Sequence, residues 1–113
     1  MSIQDKLQAG TATNNEILDR VGAVVTSELG VYKVRIHVDG RYVMNHHFDH
    51  TNLQDAVDLF KACFPGWEWG RMLGTGDIII NETGNQFSPN YYGNSDNPAT
   101  ALLIAMFDAM GVK

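Results

Sequence analysis

The chain is poor in three features, each of which defines a large class of proteins. One cysteine, Cys63, stands among 113 residues, so the chain has no internal disulfide framework and shows no adaptation to an oxidising compartment. No apolar run reaches the ~18 residues that a membrane-spanning helix needs, and residues 1–10 lack the basic and apolar regions of a secretory signal. Lysine and arginine number eight against thirteen acidic residues, which argues against general DNA binding because that activity depends on cations that neutralise phosphates. We therefore expect a soluble, cytoplasmic protein that binds neither DNA nor a membrane.

What is present is the composition of one ordinary globular domain. A chain of 113 residues with 44% hydrophobic residues can bury a stable core without disulfide bonds or a structural metal ion. Residues 1–13 mix small and polar side chains and predict a flexible N-terminal arm. Asn14 or Asn15 is then expected to cap a first helix, whose apolar stripe extends to Val25 and which ends at Gly30.

A β-hairpin is predicted next. Residues 34–38 alternate between apolar and polar side chains, which is typical of a half-buried strand. Asp39 and Gly40 form a strong two-residue turn because both tolerate positive φ. The return strand would place Val43 opposite Ile36.

The second helix is the clearest element of the sequence. Thr51 and Gln54 have the spacing of a capping box. An apolar stripe follows over residues 53–64, and Pro65 ends the helix. The solvent-facing side is expected to carry Asp55, Asp58 and Lys61.

A second hairpin and a long loop follow. Residues 67–71 and 78–80 predict two strands joined by a glycine-rich turn at 74–77. Residues 83–97 are rich in glycine, asparagine and serine with embedded aromatics, which indicates a long loop or a loop that carries a short edge strand.

The last helix has clear boundaries and an unusual composition. Asp96 or Asn97 is expected to cap it, Pro98 takes the first helical position, and Gly111 follows the last turn. Residues 99–110 are apolar on almost every side, so the helix must be buried all round. Either a neighbouring helix or a second subunit covers the side away from the sheet. We expect the subunit, and hence a homo-oligomer formed through this helix.

The order of these elements predicts an α/β domain of the α+β type over residues 14–113. It contains an antiparallel sheet of two hairpins flanked by helices, in the order α-β-β-α-β-β-(β)-α. No internal repeat or low-complexity segment interrupts it.

Three motifs of this order resemble a known family. The stretches FDHTNLQDAVDLF, GWEWGRM and SDNPATALLIAMFDAM are similar to those of small bacteriophage and prophage proteins of the phage ABA-sandwich domain type, over about residues 45–113. The resemblance implies a sheet between helices and a phage or prophage setting. Its motifs concern packing and capping, and the family has no defined activity that would assign functional residues.

The densest chemical signal is the stretch NHHFDHTN at residues 45–52. His46 and His50 could converge with Asp49 or His37 on a metal ion, since zinc takes three or four such ligands. The spacing fits no established helical metal motif, however, and Asp49 or Thr51 can equally accept backbone N–H bonds before the helix. We favour the helix lead-in and predict no metal site.

Other catalytic motifs are weak. Cys63 lies between Phe60 and Phe64 on the apolar helix face, which indicates a core thiol and not a nucleophile. Gly74 and Gly76 suit a hairpin turn better than a phosphate-binding loop, because no helix or lysine follows them in the required context. We therefore predict no enzymatic activity and no cofactor.

Binding is the better prospect. Aromatic and cationic side chains could stack on and clamp a small planar anion such as a nucleotide. The alternative is that the tryptophans belong to the core. The predicted ligand-binding residues are Trp67, Trp69, Arg71, His46, His47, Tyr91 and Tyr92.

Three functions from different classes follow. The first is a phage-encoded, non-enzymatic accessory or anti-defence protein that sequesters a small ligand, such as a nucleotide signal, as an oligomer in the bacterial host. The second is a protein that binds and inhibits or redirects a host protein through its acidic surface and the 83–97 loop. The third is a metal-dependent enzyme that uses His46, Asp49 and His50.

Overall fold

The computed structural model describes residues 2–28 and 31–111 of the chain. Within these ranges the predicted α+β class, the antiparallel pairing and the element order are confirmed. The elements are α1 (Ile3–Ala9), α2 (Asn14–Arg20), β1 (Ala23–Glu28), β2 (Val31–Val38), β3 (Arg41–Met44), α3 (Leu53–Cys63), β4 (Trp67–Arg71), β5 (Ile78–Glu82), β6 (Tyr91–Gly93) and α4 (Pro98–Met110). No helix in these two ranges is both long and apolar enough to cross a bilayer.

The strands form two separate antiparallel sheets. Sheet A has the order β1-β2-β3 and sheet B the order β4-β5-β6. The short strand β6 lies within the long loop predicted at 83–97, so the loop does carry an edge strand. Helix α3 follows sheet A in the chain and precedes sheet B, and it packs against both β3 and α4.

The first hairpin has the predicted turn and a different register. Asp39 and Gly40 have φ angles of 50° and 76°, as the two-residue turn requires. Ile36 pairs with Met44, and not with Val43 as predicted, because the register shifts between Ile36 and the next residue. As a result, the Met44 side chain turns into the core and is only 3% exposed.

The first predicted helix is shorter than its apolar pattern suggested. Helix α2 ends at Arg20, and Gly22, with a φ of 73°, turns the chain into β1. Val24 and Val25, expected on the buried helix stripe, lie in β1 with exposed fractions of 59% and 50%. Their branched β-carbons favour a strand over a helix. The predicted helix end, Gly30, lies outside the described residues.

Residues 1–13, predicted to be a flexible arm, contain a helix. Residues 3–9 form α1, which packs against α4 and buries Ile3 and Leu7, one helical turn apart. Thr13, and not Asn14 or Asn15, caps α2: its hydroxyl oxygen accepts the Glu16 N–H at 3.2 Å.

Helix α4 begins and ends as predicted, but the chain itself covers it. Asn97 is the N-cap, Pro98 the first helical residue, and Gly111 the left-handed residue at the end. Residues 99–107 are all buried, because β5 and β6 cover one side of the helix and α1 and α3 cover others. The chain thus supplies the cover that was expected from a second subunit, so the apolar composition of this helix gives no argument for an oligomer, and the homo-oligomer stays a prediction.

Candidate functional site

Residues 45–52 form the lead-in to α3, as the sequence favoured. The Asn52 side chain caps the helix by accepting the Asp55 N–H at 3.1 Å. Asp49 Oδ1 accepts the Thr51 hydroxyl at 2.6 Å and the Thr51 N–H at 2.9 Å. These two bonds, the hydroxyl above all, lower the pKa of Asp49. The predicted capping box of Thr51 and Gln54 is wrong, since the Gln54 amide donates to Asp58 instead.

Asp55 is the residue in this region that sequence reasoning misplaced. It was expected on the solvent-facing side of α3, yet it is only 5% exposed. Its Oδ1 lies 2.8 Å from His46 Nε2, and its Oδ2 accepts the Asp49 N–H at 3.0 Å. The His46 side chain remains 53% exposed. A buried carboxylate thus fastens the lead-in segment to the first turn of α3 and orients one exposed imidazole.

The histidines and acids here do not gather as metal ligands. The His46 ring is bonded to Asp55 on α3, whereas the backbone N–H of His50 donates to Asn14 Oδ1 at 2.9 Å, on α2. Within residues 2–28 and 31–111, no group of three or more histidine, cysteine, aspartate or glutamate side chains is placed to hold a metal ion.

Three of the seven predicted ligand residues lie together on sheet B. The Trp67 and Tyr91 rings stack with centroids 6.2 Å apart, and Trp67 also contacts Phe64 at 5.0 Å. Trp69 stands opposite Ile80, which pairs on its other side with Tyr91. All three rings are partly buried against the hydrophobic core. This placement supports the alternative that the tryptophans serve packing.

The other four residues lie elsewhere. Arg71 is exposed at the end of β4, and Tyr92, next to Tyr91 in its strand, faces the opposite side of sheet B. His47 lines a small cavity of about 120 Å³ between α2 and sheet A. His46 lies at the start of α3, a helix about 16 Å long, and the tryptophans follow its end. The seven side chains therefore do not converge on one pocket.

An aromatic residue and two cationic residues line a different cavity, the β3–α3 groove. This open cavity of about 290 Å³ is lined by Arg41 and Tyr42 from β3 and by Asp58 and Lys61 from α3, with Val43 and Ala62 beside them. The Tyr42 ring is 58% exposed and makes an edge-to-face contact with His37, with centroids 6.0 Å apart. The ligand site that the sequence predicted around Trp67 has the same residue types, aromatic and cationic.

Cys63 contributes no reactive group to this region. Its thiol is half-buried at the end of α3 and packs against the core. Burial raises the pKa of the Cys63 thiol to about 11, so it is protonated at neutral pH. This agrees with the predicted core thiol.

No protein-family model matches the chain, and no curated protein or solved structure shows detectable similarity to it.

Proposed function

We propose that the protein binds and sequesters a small planar anion of the nucleotide class, without catalysis, in the β3–α3 groove. The observation that carries the proposal is one cavity lined by Tyr42, which is 58% exposed, and by two cations, Arg41 and Lys61. A cavity lined by an exposed aromatic residue and by two cations suits a ligand with both a flat ring and an anionic group.

Each side chain has a distinct role in this proposal. The Arg41 guanidinium is planar and can bind a phosphate through two parallel N–H bonds, while Lys61 adds a flexible point charge. A base stacked on Tyr42 would contribute about 1–3 kcal/mol. Asp58, whose carboxylate already accepts a hydrogen bond from Gln54, can also accept one from an amino group of the base. The cavity lies at the lower end of the ~300–1,000 Å³ range of ligand pockets, which favours a ligand no larger than a mononucleotide.

The wider biological role rests on the family resemblance and on analogy with phage biology. In that role the protein is a phage-encoded accessory or anti-defence factor, located in the cytoplasm of an infected or lysogenic bacterium, that removes a nucleotide signal. The predicted homo-oligomer is part of this role, although residues 99–107 of α4 are buried within the chain and give no argument for it.

Calorimetric titration with nucleoside monophosphates and with the corresponding nucleosides tests the groove. We expect the monophosphates to bind more tightly, because only they carry the phosphate that Arg41 and Lys61 recognise. The double variant Arg41→Ala with Lys61→Ala should weaken monophosphate binding by about tenfold or more, as expected for two lost charge contacts. Tyr42→Ala should weaken the binding of nucleosides and of nucleotides to the same extent.

Arg20→Ala is the matched control, since Arg20 is an exposed arginine on α2 that does not line the groove. It should leave the affinity unchanged. The proposal that nucleotides bind in the groove is refuted if no nucleotide binds. It is also refuted if the wild-type protein and the double variant have equal affinity for every nucleotide that binds. Native mass spectrometry of the protein purified from bacteria would also give the mass of any ligand that co-purifies with it.

A further inference from the structure

Strand β1 forms one edge of sheet A, and no strand of residues 2–28 and 31–111 lies beyond it. The backbone N–H and C=O groups on its free edge are therefore open to a further strand. Residues 23–27 contain no charged residue and no proline. Val24 and Val25 are 59% and 50% exposed. An uncharged edge strand with exposed valines is a template on which another β-strand can pair.

The other edge strands in the described part of the chain each have a feature that hinders such pairing. Strand β3 has four residues, starts with Arg41 and packs against α3. Strand β4 carries Glu68 and Arg71, and β6 has only three residues. Short length, charge and a covering helix are features by which natural proteins keep an edge strand unpaired. By contrast, β1 has six residues, and its only charged residue is the last, Glu28.

The inner, apolar layer of sheet A extends to this free edge. Val25 pairs with Ile36, which is 1% exposed, whereas Val24 pairs with His37 on the outer face. Val25 also lines the cavity of about 120 Å³ between α2 and sheet A, whose lining is mainly apolar. A strand added beside β1 would therefore continue both the backbone hydrogen bonds of the sheet and its apolar inner layer.

We propose that β1 pairs antiparallel with β1 of a second copy of the chain, so that two copies of sheet A form one continuous sheet of six strands. In the proposed register the two-fold axis is perpendicular to the sheet and passes beside Val25. Val25 then stands opposite Val25 of the second copy, Val24 opposite Thr26, and Ala23 opposite Ser27. Because the inner faces of both copies lie on the same side, their apolar layers join at Val25.

The register centred on Val25 suits a second copy of the same chain. It pairs all five uncharged residues with one another, and it opposes no two charges, because Glu28 stands opposite Gly22. Valine and threonine are β-branched, and such pairs pack well across neighbouring strands. The net charge of −5 disfavours contact between the charged surfaces of two copies, and pairing through an uncharged strand avoids that repulsion.

Sedimentation velocity at increasing protein concentration tests the pairing. We expect a monomer–dimer equilibrium with a Kd on the order of 10 μM, because one pair of strands buries less surface than the ~1,600 Å² of a standard interface. Val25→Lys places two lysines opposite each other at the axis and should raise this Kd at least about tenfold. Val24→Lys adds a charge to the same edge on the outer face and should also raise it, which provides a second test if Val25→Lys does not fold.

Tyr92→Lys is the matched control, because it adds the same charge to an edge strand of sheet B at a residue that is 47% exposed. It should leave the Kd of the dimer unchanged. The double variant Arg41→Ala with Lys61→Ala should do the same, since residues 23–27 do not line the β3–α3 groove. Nucleotide binding and the pairing of β1 can thus fail independently. The proposal is overturned if the protein is a monomer at every concentration, or if a folded lysine variant of β1 dimerises as the wild type does.

Cysteine cross-linking tests the register, in a Cys63→Ala background that removes the native thiol. Val25→Cys brings two thiols opposite each other at the axis, with β-carbons about 4.5–5.5 Å apart, close to disulfide distance. Val24→Cys should cross-link poorly alone, because its two copies are diagonal neighbours about 7 Å apart. It should cross-link with Thr26→Cys when the two proteins are mixed. A yield of disulfide dimer from Val24→Cys alone that equals or exceeds that from Val25→Cys contradicts the proposed pairing.

Discussion

Sheets A and B are both three-stranded and antiparallel, yet the rest of the chain covers them to different extents. Sheet B lies against α4, the longest helix, and its Ile78 and Ile80 are completely buried. Sheet A is covered in part by the short helix α2 and by α3. In its strand β1, Val24 is 59% exposed and Val25 is 50% exposed. The difference implies that resistance to unfolding is concentrated in the layer formed by α4 and sheet B. The β3–α3 groove lies on the less covered side, where local motion has a smaller free-energy cost.

The contact between β6 and α4 gives the largest expected effect. A β-carbon added at Gly93 would lie 1.8 Å from the Ala101 carbonyl oxygen and 3.0 Å from the Ala105 nitrogen, both of them backbone atoms of α4. Gly93→Ala must push the strand off the helix, so we expect it to reduce the free energy of unfolding by about 4 kcal/mol or more, or to prevent folding. Urea denaturation followed by circular dichroism measures the loss.

Gly70→Ala is the matched control for that variant. Gly70 also lies in sheet B, but its nearest contact would be the Ile79 methyl at 3.9 Å. An alanine there fits at ordinary van der Waals distance, and we expect a change within about 1 kcal/mol. If both variants unfold at the same urea concentration, β6 does not approach α4 as closely as described.

A pair of aliphatic truncations compares the two sheets directly. Ile80→Ala removes a fully buried side chain from sheet B and should cost about 3 kcal/mol, from lost burial and the cavity that remains. Val24→Ala removes a side chain that is 59% exposed in sheet A and should change stability by less than about 0.5 kcal/mol. Comparable losses would mean that another surface covers β1, and a dependence of the Val24→Ala loss on protein concentration would identify that surface as a second copy.

The elements that the sequence predicted well are those with local signals. Asn97, Pro98 and Gly111 mark the ends of α4 chemically, and the Asp39–Gly40 turn fixes the hairpin without help from distant residues. By contrast, Val24 and Val25 satisfied a helical spacing by coincidence. Periodicity could not reveal that the helix ends at Arg20 and that Gly22 turns the chain into β1, although two successive β-branched residues favoured a strand.

The candidate sites were harder to predict because they depend on contacts between distant segments. Arg41 and Lys61 are twenty residues apart in the sequence, and the packing of β3 beside α3 brings both to one groove. Trp67 and Trp69, which led the predicted site, are instead partly buried against the core. Asp55 was misplaced because helical periodicity describes only the helix, whereas the preceding segment folds back over its first turn.

The last and smallest effect concerns this junction between sheet A and α3. Asp55→Ala leaves the Asp49 N–H and His46 without their acceptor, and we expect it to lower the free energy of unfolding by about 2 kcal/mol. Asp55→Asn should cost about half as much, since the amide oxygen can still accept the Asp49 N–H while the amide nitrogen donates to neutral His46. Asp58→Ala, one turn along the same helix and less buried, should stay within about 0.5 kcal/mol.

Hydrogen exchange of the Asp49 amide provides the local measurement for these variants. If Asp55 fastens the lead-in segment, this amide should exchange faster in Asp55→Ala than in Asp58→Ala, even under conditions where both proteins remain folded. Identical exchange and identical stability in the two variants would show that the buried carboxylate does not hold the segment. The capping bond from Asn52 would then be sufficient to start α3.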